Sequence, residues 1–557
     1  MTTADAPPAE RDDDADHIVG QPRRRPRWAA ALAGVLAAAA ALGVAELFAA
    51  LVRPQAAPVL AVGSAVIDAT PAWLKDLAIR TLGTNDKPAL LTGVVTVLAL
   101  CAAVAGAASL SRRAIGFGFV AVLGLCGAFA ALARPGGSVA DALPSLIGAV
   151  AGAAALAVLL NKLQPIDIQF APDAPAERSG GQLPDRLRGL VAGRDRKANY
   201  DRRGFLVGSA VTGIAAVVAG GAGRVLLARR FDATASRAEA ALPTPTDTAA
   251  DLARTAEVGV GGVSPFFTDN REFYRVDTAL IVPAVAADTW SLRVHGRVER
   301  PVELDYATLL NRPMVERDIT LACVSNEVGG RYIGTARWLG TPLRDLLLEV
   351  GIDPRAEQLV ARSTDGMTIG TPTAAVLDGR DALLAIGMNG EPLPLEHGFP
   401  VRMIVPGLYG YVSACKWLVD LEATTFDAYD PYWTARGWAR EAPIKTMSRI
   451  DVPRPLAQLT AGQVAVAGVA WAQHRGIDRV EVRVDRGAWQ DAGLASEHTP
   501  DTWRQWVWEW DAPPGTHTLE VRATDRTGTA QQEERVRPFP DGATGWHSVV
   551  VQVSEAA

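Results

Sequence analysis

Three short stretches hold the side chains best suited to chemistry. Cys323 ends the alternating segment Arg317-Asp-Ile-Thr-Leu-Ala-Cys323 and is followed by Val-Ser-Asn-Glu-Val-Gly-Gly-Arg331. A thiolate at the end of a strand, entering a Gly-Gly loop, can approach a large cofactor closely. The competing reading is a small buried hydrophobe, the commoner fate of a lone cysteine. Residues 397–416, HGFPVRMIVPGLYGYVSACK, bring His397, Arg402, Ser413 and Lys416 close together in sequence. Cations and a hydroxyl around a strand and a glycine turn suit a phosphate, although a solvated charged edge would read the same way. The segment Asn270-Arg-Glu-Phe-Tyr-Arg-Val-Asp277 adds Tyr274, Arg275 and Asp277.

The elements that must position these groups mix strands and helices. Trp290 to Val298 alternates apolar and polar residues and predicts a strand. The 317–323 segment predicts another, with Ile319, Leu321 and Cys323 on one face. Thr341-Pro342 supplies a cap and a first-turn proline for a helix that Gly351 closes, and 399–406 (FPVRMIVP) predicts a further strand. No regular βαβ repeat appears, so this part is α+β. Residues 446–557 differ. The runs 464–471, 479–485, 503–511 and 517–525 are alternating strands separated by Gly and Pro turns, the pattern of an immunoglobulin-like β-sandwich. Ahead of both, 231–268 is rich in Ala, Thr, Pro and Gly and reads as a linker.

The first half of the chain has another solvent in mind. Over 557 residues the composition is 49% hydrophobic, 6% aromatic and 21% charged, and the mean hydropathy is +0.11. Disorder, collagen and coiled coil are excluded. A net charge of −6 argues against a nucleic-acid partner, and four cysteines are too few for a disulfide scaffold. Five nearly uncharged runs, 28–52, 89–110, 114–133, 142–160 and 205–223, are about long enough to cross a bilayer. They make 28–230 a transmembrane region of five helices that includes the 161–203 loop. Arg23, Arg24, Arg25 and Arg27, then Arg112 and Arg113, then a basic 161–203 segment lie on one side, against Lys75, Arg80, Lys87 and Arg134 on the other. The positive-inside rule makes the 1–27 tail and the 161–203 loop cytoplasmic and everything after the fifth span external. Arg224, Arg229 and Arg230 at the outer end of that span dissent. The entry to the span, Arg202-Arg203-Gly-Phe-Leu-Val, resembles a twin-arginine export signal. An ordinary positive flank is the alternative. Glu46 is the one acid inside a span core, read as an interfacial residue two turns from Arg53. No span holds a histidine, so no b-type haem is expected and the bundle reads as an anchor or docking surface.

Taken together, the motifs of residues 260–550 resemble the sulfite oxidase family of molybdopterin enzymes. The FYR segment (273–275), a strand ending in Cys323, the ARW-G-TPL stretch, HGFPVR and G…KW follow in that family's order, and SRIDVP (448–453), GVAW (468–471) and GWHS (545–548) resemble its dimerisation domain. The resemblance implies a molybdopterin-binding domain over 269–445, with the sulfite oxidase fold, and a dimerisation-type domain over 446–557. By matching positions, Cys323 is implied as the thiolate ligand of molybdenum. His397, Arg402, Ser413 and Lys416 are implied to hold the pterin and its phosphate. Asn270 and Tyr274 match cofactor contacts of a bacterial branch that carries an export signal. Arg275 matches an arginine facing the substrate oxyanion, and Asp277, grouped with the cofactor contacts, stands where sulfite oxidases have a histidine. Glu327 and Val328 stand where those enzymes carry arginine, with Arg331 a nearby substitute. The implied chemistry is oxygen-atom transfer at a molybdenum–molybdopterin cofactor, with an external redox protein or quinone as electron partner and a homodimer through the C-terminal domain. The carboxylate of Glu327 favours a neutral sulfoxide or N-oxide over sulfite. A sulfite dehydrogenase and a non-catalytic membrane-anchored binding or adhesion protein are the alternatives.

Overall fold

The structure, a computed structural model, describes residues 26–71, 81, 86–134, 137–164, 201–230 and 232–555. The N-terminal tail up to residue 25 and most of the 161–203 loop, both expected to be cytoplasmic, lie outside the described residues. The chain divides into a helical unit, Met1–Leu132 with Val139–Arg224, and a second unit, Val225–Ala557 with the short stretch Ala133–Ser138.

Five helices of the first part are long and apolar enough to cross a membrane: Arg27–Val52, Pro88–Ala108, Arg113–Leu132, Val139–Lys162 and one starting at Arg202. A shorter apolar helix, Pro58–Ala69, falls in a stretch expected only to connect spans. Its 12 residues are too few to cross a bilayer, and Pro58 at its first turn is pre-set for helix. Small residues set the packing. A Cβ added to Gly34 would sit 2.8 Å from the Cα of Gly106, so the first two of these helices meet backbone to backbone. Ala29, Ala30, Ala33 and Ala37 are fully buried along the first helix. The acid that matters most here is Asp141, buried and receiving the Arg53 Nε at 2.7 Å. Arg53 is therefore not left to Glu46, which interacts with Arg224 instead.

The second unit is mostly β. One sheet contains β1 (Ser291–Gly296), β2 (Val302–Asp305), β5 (Gln358–Ser363), β6 (Thr368–Pro372) and β10 (Leu418–Thr424), in the order β2-β1-β10-β5-β6. Only β1 and β10 pair in parallel. The other sheet runs β3 (Val315–Ala322), β4 (Ile333–Pro342), β7 (Leu383–Met388) and β8 (Glu391–Pro392), with β9 (Arg402–Ile404) also on β7. Both β3 and β4 are buried along most of their length, and the indole of Trp338 donates to the Ile319 carbonyl at 3.2 Å. Two expectations need correction. The strand at 399–406 shrinks to Arg402–Ile404, because Pro400 and Pro406 have no N–H for a ladder. Thr341 caps nothing: β4 continues to Pro342, which itself stands at the N-cap of the helix Leu343–Glu349. Gly351 does close that helix, at φ +68.

Two further sheets follow, β11 (Met447–Val452)-β13 (Gly462–Trp471)-β17 (Arg504–Ala512)-β16 (Gly493–Leu494) and β12 (Gln458–Thr460)-β19 (His547–Ser554)-β18 (Gly515–Asp525)-β14 (Ile477–Val484)-β15 (Gln490–Asp491). They share a core that includes Val466, Val480, Trp506, Leu519 and Val551. The four expected runs appear as β13, β14, β17 and β18. β19 is not legible in the sequence, because its VVVQV run hides the alternation of buried Val549, Val551 and Val553. Residues 232–268, read as a linker, are tied down along their length. Thr246 N–H donates to Met314 O at 2.7 Å, Val258 N–H to Gln505 Oε1 at 2.8 Å and Ser264 N–H to Asp451 Oδ2 at 2.9 Å. Small side chains leave no periodic pattern to read, and the backbone makes the attachments.

The close helix approach predicts that Gly34→Leu lowers the thermal stability of the detergent-solubilised chain, at a cost of about 1–3 kcal/mol for overpacking. Gly93→Leu is the control, since a Cβ there meets nothing within 4 Å. A melt shifted equally by both substitutions would contradict the packing described.

Candidate functional site

Arg402 opens β9, and its neighbours are unusual for a cation. It is 5% exposed, its Nη1 donates to the His397 carbonyl at 3.0 Å, and its guanidinium lies over the Trp338 ring at 5.1 Å. Its Nε has no hydrogen-bond partner, and it makes no ion pair among the described residues. Burial pulls its pKa down to about 10. A buried charge without a counter-charge is costly, so this geometry is one prepared for an anion.

The turn before β9 supplies His397, also buried. Its Nε2 faces the Asn270 carbonyl at 3.0 Å, which makes Nε2 the protonated nitrogen of the neutral ring. Burial, and then the Arg402 charge, hold its pKa down at about 4. Asn270 is fixed in turn: its Oδ1 accepts from Asn389 Nδ2 at 2.9 Å and its Nδ2 donates to Met388 O at 3.3 Å. Asn389 can sit there because it adopts φ +52 just past β7.

Cys323 is the first residue after β3 and is buried. Its N–H donates to Tyr332 O at 2.9 Å, closing the loop that leads into β4. Burial pushes its thiol pKa up, opposed by hydrogen bonds from Ser325 and by the charge of Lys416. Tyr274 reaches the same place. Burial, then Cys323, push its hydroxyl pKa up, against Arg402. A Cβ added to Gly410 would lie 3.6 Å from Tyr274 Oη and 3.7 Å from Ala322 O, so Gly410 borders the end of β3.

Lys416 and Arg275 share one acid. Lys416 Nζ lies 2.9 Å from Asp277 Oδ2 and Arg275 Nε lies 2.8 Å from the same oxygen. Asp277 is 5% exposed and Arg275 39%. Burial lowers the Lys416 pKa to about 8, and Asp277 opposes that shift. Ser413 is fully buried nearby, but its one hydroxyl hydrogen is committed to the carbonyls of Leu408 and Tyr409, at 2.9 and 3.1 Å. It therefore offers no donor to a phosphate in this conformation, because the tight 408–413 turn consumes it. Glu327 and Arg331 are both exposed. The expectation that the Glu327 carboxylate selects a neutral substrate needs that carboxylate buried near the metal; exposed, its charge is screened by water.

Sequence reasoning missed Tyr409, whose pKa burial raises to about 12 and on which the Cys323 charge acts. It also missed Asn326, whose Oδ1 accepts from Tyr332 N–H at 2.8 Å and shapes the cysteine loop. Nothing in the local pattern marks either. The groups that are brought together, an anion-ready Arg402, a thiol and a neutral imidazole, fit a cofactor that carries a phosphate and a soft metal.

Comparison with known proteins agrees. Residues 279–433 match the family described as an oxidoreductase molybdopterin binding domain. The chain is 32% identical to sulfite oxidase of Gallus gallus, over 51% of this chain and 72% of that protein. It is 30% identical to mitochondrial sulfite oxidase of Homo sapiens, over 52% of this chain and 61% of that protein, and so spans about three fifths of the human relative's length. Among solved structures, the sulfane dehydrogenase SoxCD of Paracoccus pantotrophus aligns over 53% of this chain and 85% of its own, with a TM-score of 0.46 and 24% identity.

Two outcomes follow. Arg402→Met removes a buried charge without a counter-charge, so the cofactor-free variant melts higher than cofactor-free wild type, by about 1–4 kcal/mol of stability, while its retention of pterin falls. A lower melting temperature would contradict the unpaired reading of Arg402. His397 has a folded pKa depressed from 6.5 to about 4. Between those values the unfolded chain binds more protons, so its contribution is complete above pH 6.5 and is lost as pH falls toward 4, up to about 3 kcal/mol. His397→Gln therefore flattens the pH dependence of the melting temperature across that window. An unchanged slope would show that His397 is not held neutral.

Proposed function

The chain belongs to the sulfite oxidase family of molybdopterin oxidoreductases, and from that premise we propose that it is a membrane-anchored enzyme of oxygen-atom transfer acting outside the cytoplasm on a small sulfur- or nitrogen-oxo substrate. The molybdenum–molybdopterin cofactor, when bound, supplies the oxygen-transfer chemistry. The chain's own groups hold and tune it. Cys323 is the metal's protein ligand, and Lys416 favours its thiolate form. Arg402 receives the cofactor phosphate, with the neutral His397 and Asn270 fixing that side of the pocket. Tyr274 closes the wall beside the thiolate, and Arg275 orients an oxygen of the substrate. Ser413 acts only as a buried support for the turn.

The observation that carries the substrate reading is the position of Asp277. One buried carboxylate serves both Lys416 and Arg275, so two cations bring a net charge of about one toward the cysteine. A sulfite dianion gains from converging uncompensated cations, whereas a neutral sulfoxide or N-oxide needs only a hydrogen-bond donor. We favour the neutral substrate on this ground, and the charge of Glu327 no longer enters the argument. Sulfite dehydrogenation is the second reading, supported by the names of the relatives and by the partial exposure of Arg275.

The remaining parts of the proposal concern placement. Five spans, an inside N-terminus and an external catalytic unit are supported by the distribution of Lys and Arg and by the length of the five helices. Arg202-Arg203 serve as the export signal for a unit that folds around its cofactor before crossing. The C-terminal sheets form an immunoglobulin-like sandwich that pairs two chains. Electrons pass to or from an external protein or quinone.

A paired assay on one preparation tests the substrate. Sulfite is offered with an artificial electron acceptor, and sulfoxides and N-oxides with a reduced dye. Turnover of the neutral oxides is expected, together with a fall of roughly tenfold in the KM for sulfite in Asp277→Asn, one charge being worth about 1.4 kcal/mol in a half-screened pocket. Efficient sulfite oxidation by wild type, unimproved in Asp277→Asn and without oxide turnover, would reverse the choice.

A further inference from the structure

The cysteine loop is gripped from outside its own sheets. Its internal closure uses Asn326 N–H to Cys323 O at 3.0 Å, Gly330 N–H to Glu327 O at 2.8 Å and the Asn326 side chain on Tyr332 N–H. Two side chains from the C-terminal sheets complete it. Arg449, on β11, donates from Nη1 to Gly330 O at 2.6 Å, from Nη2 to Ser264 Oγ at 2.8 Å and from Nε to Asp451 Oδ1 at 2.6 Å. The other Asp451 oxygen accepts from Ser264 N–H at 2.9 Å. The Arg449 and Asp451 side chains are each 9% exposed, so the pair is desolvated and every arm of the fork is used.

His547, at the start of β19, acts beside it. Its Nδ1 accepts the Ile450 N–H at 3.0 Å, where the pairing of β11 with β13 shifts register between Ile450 and Val452. Bulges of this kind re-aim side chains. The far edge of the ring presses on Gly329, where a Cβ would lie 2.5 Å from His547 Cδ2. Gly329 has φ +78, so both its conformation and its contact need glycine. A sandwich serving only as an adhesion or pairing module has no need to commit a buried ion pair and an imidazole to a carbonyl seven residues past a cysteine. A metal ligand does need it, because a ligating side chain must be held to a fraction of an ångström by its surroundings.

We propose that Arg449 and His547 are positioning residues for Cys323, so that the C-terminal sheets set the placement of the thiolate through Gly330 and Gly329. The proposal rests on the reading of Cys323 as the metal's ligand. Its test uses the full-length chain in detergent. Arg449→Lys keeps a charge opposite Asp451 but loses the fork, and Gly329→Ala pushes on His547 from the loop side while leaving the sandwich sequence untouched. Amide hydrogen exchange over 323–332 is expected to accelerate at least tenfold in both variants, with exchange in β13 and β17 unchanged. The visible absorption of the cofactor-loaded chain shifts, while pterin content stays at the wild-type level. Wild-type exchange in the loop of either variant, or acceleration that spreads equally through β13 and β17, would overturn the proposal. So would a displaced loop with an unshifted spectrum. Failure of the underlying reading is distinguishable, because loss of metal ligation by Cys323 is read from Cys323→Ala and leaves the exchange result intact.

Discussion

A guanidinium buried without a carboxylate is the constraint around which this site is organised. Arg402 has its one directed contact to a backbone carbonyl and its flat face on Trp338. Its side chain is buried, so an anion that completes it removes a cost the fold otherwise bears. The neighbours follow from this. His397 stays neutral because it is buried and, next, because the same charge sits beside it. Asn270 and Asn389 tie the entry segment to β7, which also carries β9 and therefore Arg402. On the proposed reading, these groups serve a charged cofactor before they serve a substrate.

Its second charge system is arranged differently. Lys416 and Arg275 already have an acid, Asp277, and need no ligand to be satisfied. The contrast divides the pocket into a part that waits for an anion and a part that has its own. Cys323 lies under the influence of Lys416 rather than of a free cluster of cations. On the proposed reading, this contrast separates cofactor binding, given to the unpaired arginine, from substrate choice, given to Asp277.

Much of this was legible in the sequence where a residue's role depends on its local motif. Cys323 stands at the end of its strand because the 317–323 alternation is a property of the chain itself. The spans are read from length and composition, which the bilayer dictates. What stayed hidden depends on distant partners. Ser413 looks like a phosphate donor until the 408–413 turn is seen to use its hydrogen. Glu327 looks like a pocket acid until its side chain is seen to be exposed. Asp277 stands in the sequence only as a departure from the family's histidine, and its pairing with Lys416 spans 139 residues. Arg449 and Gly330 are 119 residues apart, beyond any periodic signal.

The central claim is that Cys323 supplies the protein's bond to the metal within this pocket. X-ray absorption at the molybdenum edge, on the full-length chain and on Cys323→Ala loaded to equal metal content, tests it most directly. The account predicts that the number of sulfur neighbours falls by one in the variant while the pterin remains bound through Arg402. An identical sulfur count in the two proteins would contradict it.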